Sequence, residues 1–593
     1  MNDIRRTILW VVFGFSMVML WDQWQLHNGR QKTFFPNPAQ PTAPATASPG
    51  VQPTATTAAG STVALTQPST AATQSAPVAP ALPKERFEVT TDVLKLTFDT
   101  EGGSLVRTEF LKHADMSDKT RNFVLLDDRA DRAYVAQTGL VAGTQGVAPT
   151  HKTVMKLVSG VPVLKDGEAT VVVRFESPEL GGVKLVKTYT MERGSYVMTV
   201  KHEVVNSGVA AVSPQLYLRL VRDGSKPPGE SSFYSTFTGP VVYTSAQKYQ
   251  KVEFEDIKKN KVDIEKESSD GYVAMVQHYF ASAWILPDGV KRSLSMSADV
   301  VPPVADCCYQ VTMLAPLESI APGTSKTLDA KLFVGPQEEK MLEALAPGLE
   351  LVKDYGWLTI LAKPLYWLLD QLHGFIQNWG WSIVALVVLL KIAFYWLNAK
   401  AYASMAKMKA VNPKITEMRE RLKDNPQQMQ QEMMRIYREE KVNPMGGCFP
   451  IMVQIPVFIA LYWVLLSSVE MRNAPWVLWI HDLSSPDPFY ILPLVMTATS
   501  LLQTALNPAP PDPMQAKMMW IMPMIFSVMF FFFPAGLVLY WITNNILSSA
   551  QQWLINTRMG VPPQFNLPKF RSIDQGPPIA ALPLWGVVHV EPQ

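Results

Sequence analysis

The chain has 593 residues, 48% of them hydrophobic and only 18% charged, with a net charge of +2. A charged fraction this far below the usual quarter excludes an ordinary soluble globule, and the near-neutral balance argues against a nucleic-acid binder. Three cysteines exclude a disulfide-rich framework and a multi-cysteine zinc module.

An apolar run at residues 7–21 follows Arg5 and Arg6. A cleaved signal peptide would need a cleavage site of small residues, and the WDQW sequence that follows offers none. We therefore expect residues 1–26 to form an uncleaved signal-anchor transmembrane helix whose basic end stays in the cytoplasm. Residues 27–84 contain a long charge-free stretch rich in Pro, Ala, Thr and Ser, which predicts a disordered tether.

Residues 85–345 have the pattern of a β domain. Three segments alternate between apolar and polar side chains, at 93–99, 169–175 and 196–204. Glycine pairs predict turns at 102–103 and 181–182. This pattern predicts one large antiparallel β-sandwich, and about 260 residues is an acceptable size for it.

The histidines of this domain offer no obvious catalytic set. His151, His202 and His278 stand apart, without the spacing of metal ligands. A binding or scaffold domain is therefore favoured over an enzyme.

The next two segments, 355–378 and 379–399, are both apolar, but the first contains two charged side chains. Residues 400–445 hold ten basic and six acidic side chains, which places them in the cytoplasm. Because the β domain lies outside, an odd number of crossings must separate the two. We expect 379–399 to span and the preceding residues 346–378 to hold an amphipathic helix in the periplasmic interface.

Residues 400–445 have the pattern of a hairpin of two helices. Asn425 can cap the second helix, and Pro426 suits its first position. Methionines follow both arms and either fill the seam of an ordinary hairpin or form an adaptable surface for apolar partners. The residues expected to make contacts from the hairpin are Met405, Lys407, Met408, Lys409, Met433 and Met434.

Four further apolar segments are each close to the length that a bilayer requires, at 447–468, 489–507, 518–534 and 536–556. The sequence thus predicts a multi-domain membrane protein with an α-helical body of six spans. One span is the anchor and five form a core within 379–557. Both termini, including the tail at 558–593, are then cytoplasmic, and residues 27–378 are periplasmic.

Lys391 lies inside the predicted span 379–399, and none of the six spans contains Asp or Glu. An isolated cation at this depth costs about 2.5–3.5 kcal/mol. Lys391 can extend to the cytoplasmic interface, bind lipid headgroups, or face a water-filled groove between helices. Such a groove would be lined by Gln454, Gln503, Asn544, Asn545 and Ser548, each of which alone more commonly bonds a neighbouring helix.

Prolines interrupt three of the spans, at Pro456, Pro493 and Pro523. A proline inside a helix removes a hydrogen bond and kinks the helix, and kinked helices can leave a cleft between them. Structural kinking without a functional role is the equally weighted alternative.

Known catalytic motifs are missing from the sequence, including the P-loop, GxSxG, zinc-ligand clusters and haem motifs. We therefore expect no enzyme, no cofactor, no metal and no ATP hydrolysis.

Five stretches of sequence, in this order along the chain, resemble the YidC/Oxa/Alb family of membrane protein insertases. They are residues 378–382 (NWGWS), 404–409 (SMAKMK), 443–450 (NPMGGCFP), 454–462 (QIPVFIALY) and 533–541 (FPAGLVLYW). With the anchor, tether and β domain, the resemblance covers nearly the whole chain and follows the Gram-negative arrangement. It implies an inner-membrane protein whose β domain is a supersandwich similar to sugar-binding folds, without catalysis.

The resemblance also implies a mechanism. Five helices enclose a hydrophilic groove, open to cytoplasm and lipid, in which a basic residue attracts the polar segment of an incoming protein. The apolar helix of that protein then enters lipid along a slide. Matching slide residues here are Val387, Pro456, Phe458, Tyr540 and Trp541. The best-known members have Arg where this chain has Lys391. Some members have Thr where this chain has Val387, and some have a second Tyr where it has Trp541.

The implied partners are nascent integral membrane proteins as substrates, membrane lipid, and the Sec translocon (SecYEG and SecDF). Ribosome and signal recognition particle contacts are implied more weakly, because the tail has only three basic and two acidic residues. Direct sequence-specific nucleic-acid binding is not expected.

Two other function classes are alternatives. A small-molecule or lipid transporter would more often show inverted repeats, and the two halves of the body share no convincing similarity. A membrane-tethered carbohydrate-active enzyme would place its chemistry in residues 85–345. Deletion of that domain would abolish an enzyme's activity, whereas an insertase should keep most of its own.

Overall fold

A β-rich segment comes first along the chain, and a helical segment follows it. The computed structural model describes residues 83–116, 118–129, 131–142, 146–159, 163–227, 236–298, 308–422, 425–440, 449–507, 513–560 and 565. The predicted anchor, nearly all of the tether and most of the tail therefore lie outside the described residues.

The chain divides into two compact units. The first, here called the β unit, runs up to Asp354 and includes Ser467–Val469. The second, here called the helical unit, consists of Tyr355–Leu466 and the residues from Glu470 onward.

Nineteen strands are present among the described residues of the β unit. They are β1 (Arg86–Thr90), β2 (Leu94–Asp99), β3 (Ser104–Ala114), β4 (Asn122–Val124), β5 (Asp127–Arg129), β6 (Arg132–Val141), β7 (Lys156–Leu157), β8 (Thr170–Glu176), β9 (Val183–Glu192), β10 (Val197–Asn206), β11 (Gln215–Arg222), β12 (Gly239–Thr244), β13 (Lys248–Lys251), β14 (Glu267–Ser268), β15 (Tyr272–Gln277), β16 (Phe280–Ile285), β17 (Arg292–Ala298), β18 (Tyr309–Pro316) and β19 (Ser325–Pro336).

These strands form two antiparallel sheets. The ten-stranded sheet has the order β1-β2-β3-β6-β11-β18-β17-β14, with β4 and β5 paired to β3 and β6. The nine-stranded sheet has the order β13-β12-β15-β16-β19-β10-β9-β8-β7. The predicted antiparallel β-sandwich is confirmed. Cys308, just before β18, is disulfide-bonded, while the other two cysteines lie outside the described residues.

The two sheets pack face to face over one hydrophobic core. Aromatic rings connect them: Phe98 of β2 meets Tyr189 of β9 with centroids 4.9 Å apart, and Phe123 of β4 stacks on Phe280 of β16 at 4.1 Å. Alternation along β10 buries every second side chain, as a strand with one covered face requires. The three segments predicted from this alternation correspond to β2, β8 and β10.

Ten α-helices are present in the described part of the chain. They are α1 (Phe254–Lys258), α2 (Glu339–Leu345), α3 (Thr359–Ile376), α4 (Trp379–Ala393), α5 (Tyr395–Arg421), α6 (Pro426–Glu439), α7 (Phe449–Ser467), α8 (Ile491–Leu506), α9 (Pro513–Phe530) and α10 (Ala535–Arg558). The helical C-terminal region that the sequence predicts is confirmed.

Helices α4, α7 and α10 share the core of the helical unit. Leu386, Leu461 and Val538, one from each helix, belong to a single buried cluster. Helix α3 is amphipathic, as predicted, with Tyr366 and Leu369 buried. Its opposite face exposes large apolar side chains at Ile360, Trp367 and Phe375.

No single helix among the described residues is both long enough and apolar enough to cross a bilayer. The pair α4 and α5, bent by 68° relative to each other, meets that requirement together by length and composition alone. The predicted span 379–399 therefore contains a break, because α4 ends at Ala393 and α5 starts at Tyr395. Phe394, with φ −93° and ψ 10°, separates the two helices.

The cytoplasmic hairpin of the prediction corresponds to α5 and α6. Asn425 Oδ1 accepts a hydrogen bond from Gln428 N at 3.2 Å, and Pro426 occupies the first helical position. The predicted break and cap are confirmed. Because Asn425 satisfies one of the unpaired N–H groups at the start of α6, it fixes where this helix begins.

Candidate functional site

Lys391 lies in the last turn of α4 and reaches toward α10. Its Nζ donates a hydrogen bond to Ser548 Oγ at 2.7 Å. Ser548 is only 2% exposed, and Tyr402 of α5 lies beside the same hydroxyl. Within the described chain, Lys391 forms no ion pair, so the ammonium is held by a neutral partner.

A small cavity of about 40 Å³ lies next to this contact. Its polar wall consists of Lys391, Asn398, Gln454 and Asn544, and its apolar wall of Val387, Leu390, Phe394, Leu397, Val457 and Tyr540. Gln454 Nε2 donates to Asn544 Oδ1 at 2.7 Å and joins α7 to α10. A cavity of this size has room for roughly two or three water molecules, and four polar side chains are enough to bind them.

The predicted groove-lining residues divide into two groups. Gln454 and Asn544 line this cavity with Lys391, and Ser548 bonds Lys391. Asn545 instead donates to Ser500 Oγ of α8 at 2.8 Å, which is a contact between helices. Gln503 of α8 is not among the residues that line the cavity.

The predicted slide residues surround an aromatic cluster between α7 and α10. Phe458 stacks on Tyr540 with centroids 5.9 Å apart and meets the edge of Trp541 at 4.7 Å. Val387 and Tyr540 line the cavity and are 2% and 3% exposed. Pro456 lies inside α7, two positions before Phe458.

The predicted hairpin contacts are partly internal to the hairpin. Met408 and Met433 pack against a buried cluster of Val411, Ile415 and Met418, which is the seam between α5 and α6. Met405 is half-buried, whereas Lys407 and Met434 are exposed. The side chain of Lys409 lies outside the described set. Methionine therefore fills the seam and also reaches the surface.

The start of α10 is joined to the loop that precedes α8. Ala535 N donates to Ser485 O at 2.8 Å, and Gly536 N donates to Leu483 O at 2.9 Å. Asp487, 1% exposed, accepts hydrogen bonds from Trp479 Nε1, Phe489 N and Leu492 N. These bonds fix the loop against the first turn of α10 and cap α8.

Asn398 and Tyr402 belong to this site and were not predicted. Asn398 and Tyr402 are four apart in α5 and share a face of that helix, but the break at Phe394 separates them from Lys391, so helical spacing does not connect them to it. Likewise, Asn544 and Ser548 are four apart and share a face, whereas Asn545 is turned about 100° away.

The β unit buries titratable groups in its core. Lys187 Nζ, fully buried, donates to Gly102 O at 2.6 Å and Thr138 O at 2.8 Å. Burial lowers the pKa of Lys187 to about 7 and that of the neighbouring His202 to about 3. No group of three metal-ligating side chains occurs among the described residues.

Comparisons with known proteins match both parts of the chain. A family model described as the YidC periplasmic domain matches residues 86–368, and one described as the 60Kd inner membrane protein matches residues 371–561. The chain is 54% identical to "Membrane protein insertase YidC" of Cupriavidus necator over 564 residues, covering 94% of this chain and 98% of that one. It is 51% identical to the protein of the same name from Burkholderia cenocepacia, covering 94% and 99%.

Among solved structures, the chain is similar to one titled "Active YidC insertase crystal structure with the first transmembrane domain resolved". The identity is 18% and the TM-score 0.35, over 79% of this chain and 92% of that one.

Proposed function

The chain belongs to the YidC family of membrane protein insertases, and from this membership we propose that it inserts integral proteins into the inner membrane and helps them to fold. It does so alone or beside the Sec translocon. The energy comes from solvation and binding rather than from ATP hydrolysis.

The observation that carries the proposal is the environment of Lys391. Its ammonium is held by the hydroxyl of Ser548 at the edge of a small cavity that has one polar wall, and no carboxylate of the described chain pairs with it. A neutral partner leaves most of the cost of placing a cation at this depth uncompensated. A polar or acidic segment of an incoming protein compensates this cost when it reaches the cavity.

The remaining path of the substrate into the lipid is apolar. The substrate's own helix partitions into lipid along the surface of α7 and α10, where Phe458, Tyr540 and Trp541 present an aromatic cluster. Transfer of apolar surface out of water gives about 25 cal/mol per Å². Transfer of a single transmembrane helix into lipid therefore supplies the free energy for insertion. Lys391 lowers the barrier for the polar segment beside that helix.

The proposal includes the arrangement in the membrane. The anchor at 1–26 and five spans within 379–557 cross the bilayer, and both termini are cytoplasmic. The tether, the β unit and the α3 helix, together 27–378, lie in the periplasm. The hairpin at 400–445 lies in the cytoplasm, where Lys407 and Met434 are available to partners.

The partners follow from the same proposal. Nascent membrane proteins are the substrates, and SecYEG and SecDF are the partners in the membrane. The hairpin and the weakly basic tail are the surfaces for the ribosome and the signal recognition particle pathway.

The test is insertion of a small two-span protein, with an acidic segment between its spans, into liposomes that hold only this purified chain. Protease protection without ATP or Sec components is the expected result for the wild type. Lys391→Glu should abolish protection because it repels the acidic segment, Lys391→Ala should reduce it strongly, and Lys391→Arg should retain most of it.

Lys400→Glu is the matched control, because Lys400 lies over the ring of Trp396 at 3.7 Å and not at the cavity. Full activity of Lys391→Glu would contradict the role given to this cation. Loss of protection in wild type, beside a working control insertase, would contradict autonomous insertion.

A further inference from the structure

A loop of the β unit, residues 146–151, folds back over the outer face of the ten-stranded sheet. Leu140 N donates to Pro149 O at 2.8 Å and holds the loop against β6. The loop lines one side of an open cavity of about 600 Å³. This volume is within the range of known small-molecule sites.

Three neighbouring strands form the floor of this cavity. In β11, Leu216, Leu218 and Leu220 point into the core, so that Tyr217 and Arg219 project from the other face. Tyr217 pairs with Gly139 of β6 on one side and with Leu314 of β18 on the other.

The walls are mostly apolar, with one polar cluster. Val141 and Val147 stand at the mouth, 44% and 66% exposed. His151, Tyr217 and Arg219 form the polar cluster. None of the described residues that line the cavity is acidic.

A chain of hydrogen bonds runs through the polar cluster. Arg219 Nη2, which can only donate, lies 2.8 Å from His151 Nε2. Burial, with the nearby charge of Arg219, lowers the pKa of His151 to about 3, so the imidazole is neutral at neutral pH. Nε2 therefore accepts, and the ring proton resides on Nδ1.

The phenol oxygen of Tyr217 is the next member of the chain. It accepts from His151 Nδ1 at 2.7 Å and from His151 N at 2.8 Å. With two donors directed at its oxygen, Tyr217 must donate its own proton elsewhere, and the cavity that it lines is the open direction. Donation from the charged Arg219 through the imidazole polarises this hydroxyl and makes it a stronger donor.

Gly139 permits this arrangement. A Cβ at position 139 would lie 2.4 Å from the Tyr217 hydroxyl oxygen. Any larger residue would therefore displace the hydroxyl from the histidine.

We propose that this cavity is a binding site for a small apolar molecule that carries a carboxylate, one oxygen of which accepts the proton of the Tyr217 hydroxyl. The apolar walls take the body of the ligand. A carboxylate suits the polar end because Arg219, which stays protonated, belongs to the polar cluster and none of the described residues that line the cavity is acidic. The site belongs to the β unit, whereas Lys391 belongs to the helical unit.

The experiment uses the full chain in phosphatidylcholine nanodiscs, with empty nanodiscs subtracted. The probes are 3-phenylpropionate and its isosteric amide, 3-phenylpropanamide, titrated by ligand-observed NMR at pH 7. We expect the acid to bind at least tenfold more tightly than the amide. Tyr217→Phe should remove about tenfold of the acid's affinity and a smaller part of the amide's, because the neutral carbonyl oxygen of the amide accepts a weaker hydrogen bond from the same hydroxyl.

Tyr249→Phe is the matched control, because it removes a buried hydroxyl that has no hydrogen-bond partner in the described chain and lies outside the residues that line this cavity. It should bind both probes as the wild type does. Equal binding of acid and amide, binding of neither, or an unchanged affinity in Tyr217→Phe would overturn the proposal.

A second variant keeps the test decisive if Tyr217→Phe unfolds. Val147 is exposed at the mouth, so Val147→Glu and Val147→Gln change the rim without changing the core. Val147→Glu should bind 3-phenylpropionate severalfold more weakly than Val147→Gln does. The two variants should bind 3-phenylpropanamide with the same affinity. The tripeptide acetyl-Ala-Leu-Phe with a free C-terminal carboxylate distinguishes two sources of the ligand's carboxylate, the end of a polypeptide chain and a free small molecule. Tighter binding than phenylpropionate assigns the site to a chain end, and weaker binding to a free molecule.

Discussion

Lys391 Nζ and Ser548 Oγ, 157 positions apart in the chain, lie 2.7 Å from each other. An ammonium has three donors, and this bond uses one of them. The hydroxyl thus fixes the position of the cation on the cavity wall without neutralising its charge. Two donors remain for water or for a substrate.

Ser548→Ala should reduce insertion of an acidic two-span substrate about threefold to tenfold, because a charge-assisted hydrogen bond then no longer positions Lys391. Ser549→Ala is the control, since that hydroxyl is buried with no hydrogen-bond partner among the described residues. Protease protection in liposomes is the measurement. Equal rates for the two alanine variants would show that Ser548 does not position the cation.

The bond between Gln454 and Asn544 should contribute about 0.5–1 kcal/mol to the stability of the helical unit, as is typical of polar contacts between membrane helices. A double-mutant cycle of Gln454→Ala and Asn544→Ala, measured by unfolding in mixed micelles, gives this coupling. The matched cycle with Asn545→Ala should give a value near zero, because Asn545 bonds Ser500 instead. Similar couplings in both cycles would refute the assignment.

Gly380→Ala should destabilise the helical unit by about 1–3 kcal/mol. A Cβ at this position would lie 2.3 Å from Cδ1 of Trp476, so the indole has to move. Gly374→Ala in α3 meets no atom within 4 Å and should be neutral or stabilising by up to about 1 kcal/mol. Thermal unfolding of both variants is the measurement, and an unchanged midpoint for Gly380→Ala would contradict the packing described.

Lys187 should make the stability of the β unit rise with pH above neutrality. Its pKa is about 7 when folded and 10.5 in its ordinary state, because burial disfavours the charged form. Between these values the unfolded chain binds more protons than the folded chain, so the free energy of unfolding increases with pH, by a few kcal/mol at most. Below pH 7 Lys187 is protonated in both the folded and the unfolded chain, and the full free-energy cost of burying its charge is present.

Hydrogen exchange of β9 and β10 in the full chain, corrected for intrinsic rates, measures this slope between pH 7 and 9. Lys187→Met should flatten it. Lys201→Met, which removes an exposed lysine from β10, should leave it unchanged. A slope that survives in Lys187→Met would assign the dependence to other groups.

The sequence predicts the fold class of the β unit and three of its nineteen described strands, because a strand with one covered face alternates between apolar and polar residues. The alternation at 196–204 identified β10, and the glycine pair at 102–103 adopts positive φ as a turn requires. The His151–Tyr217–Arg219 cluster was not predictable. Its members meet only because β6, β11 and the loop 146–151 come together across 66 or more positions.

In the helical unit, the sequence identified Lys391 as a cation with no acidic residue in the predicted spans and named Gln454, Asn544 and Ser548 as its neighbours, whereas it did not identify Asn398 and Tyr402. The break at Phe394 has no proline or glycine to mark it in the sequence. Beyond the break, α5 packs against α10. For Asn545 the contact found is the bond to a neighbouring helix that the sequence analysis gave as the commoner role, because neighbouring helix positions face different partners.

The first turn of α10 has one more consequence. An α-helix carries about half a positive charge at its N-terminus, concentrated on its unpaired N–H groups. Here the groups of Ala535 and Gly536 are already engaged by Ser485 and Leu483. This end of the helix is therefore a poor binding site for anions. Under the proposed function, an acidic segment of a substrate is expected near the middle of α10, where Ser548 holds Lys391, rather than at the first turn of that helix.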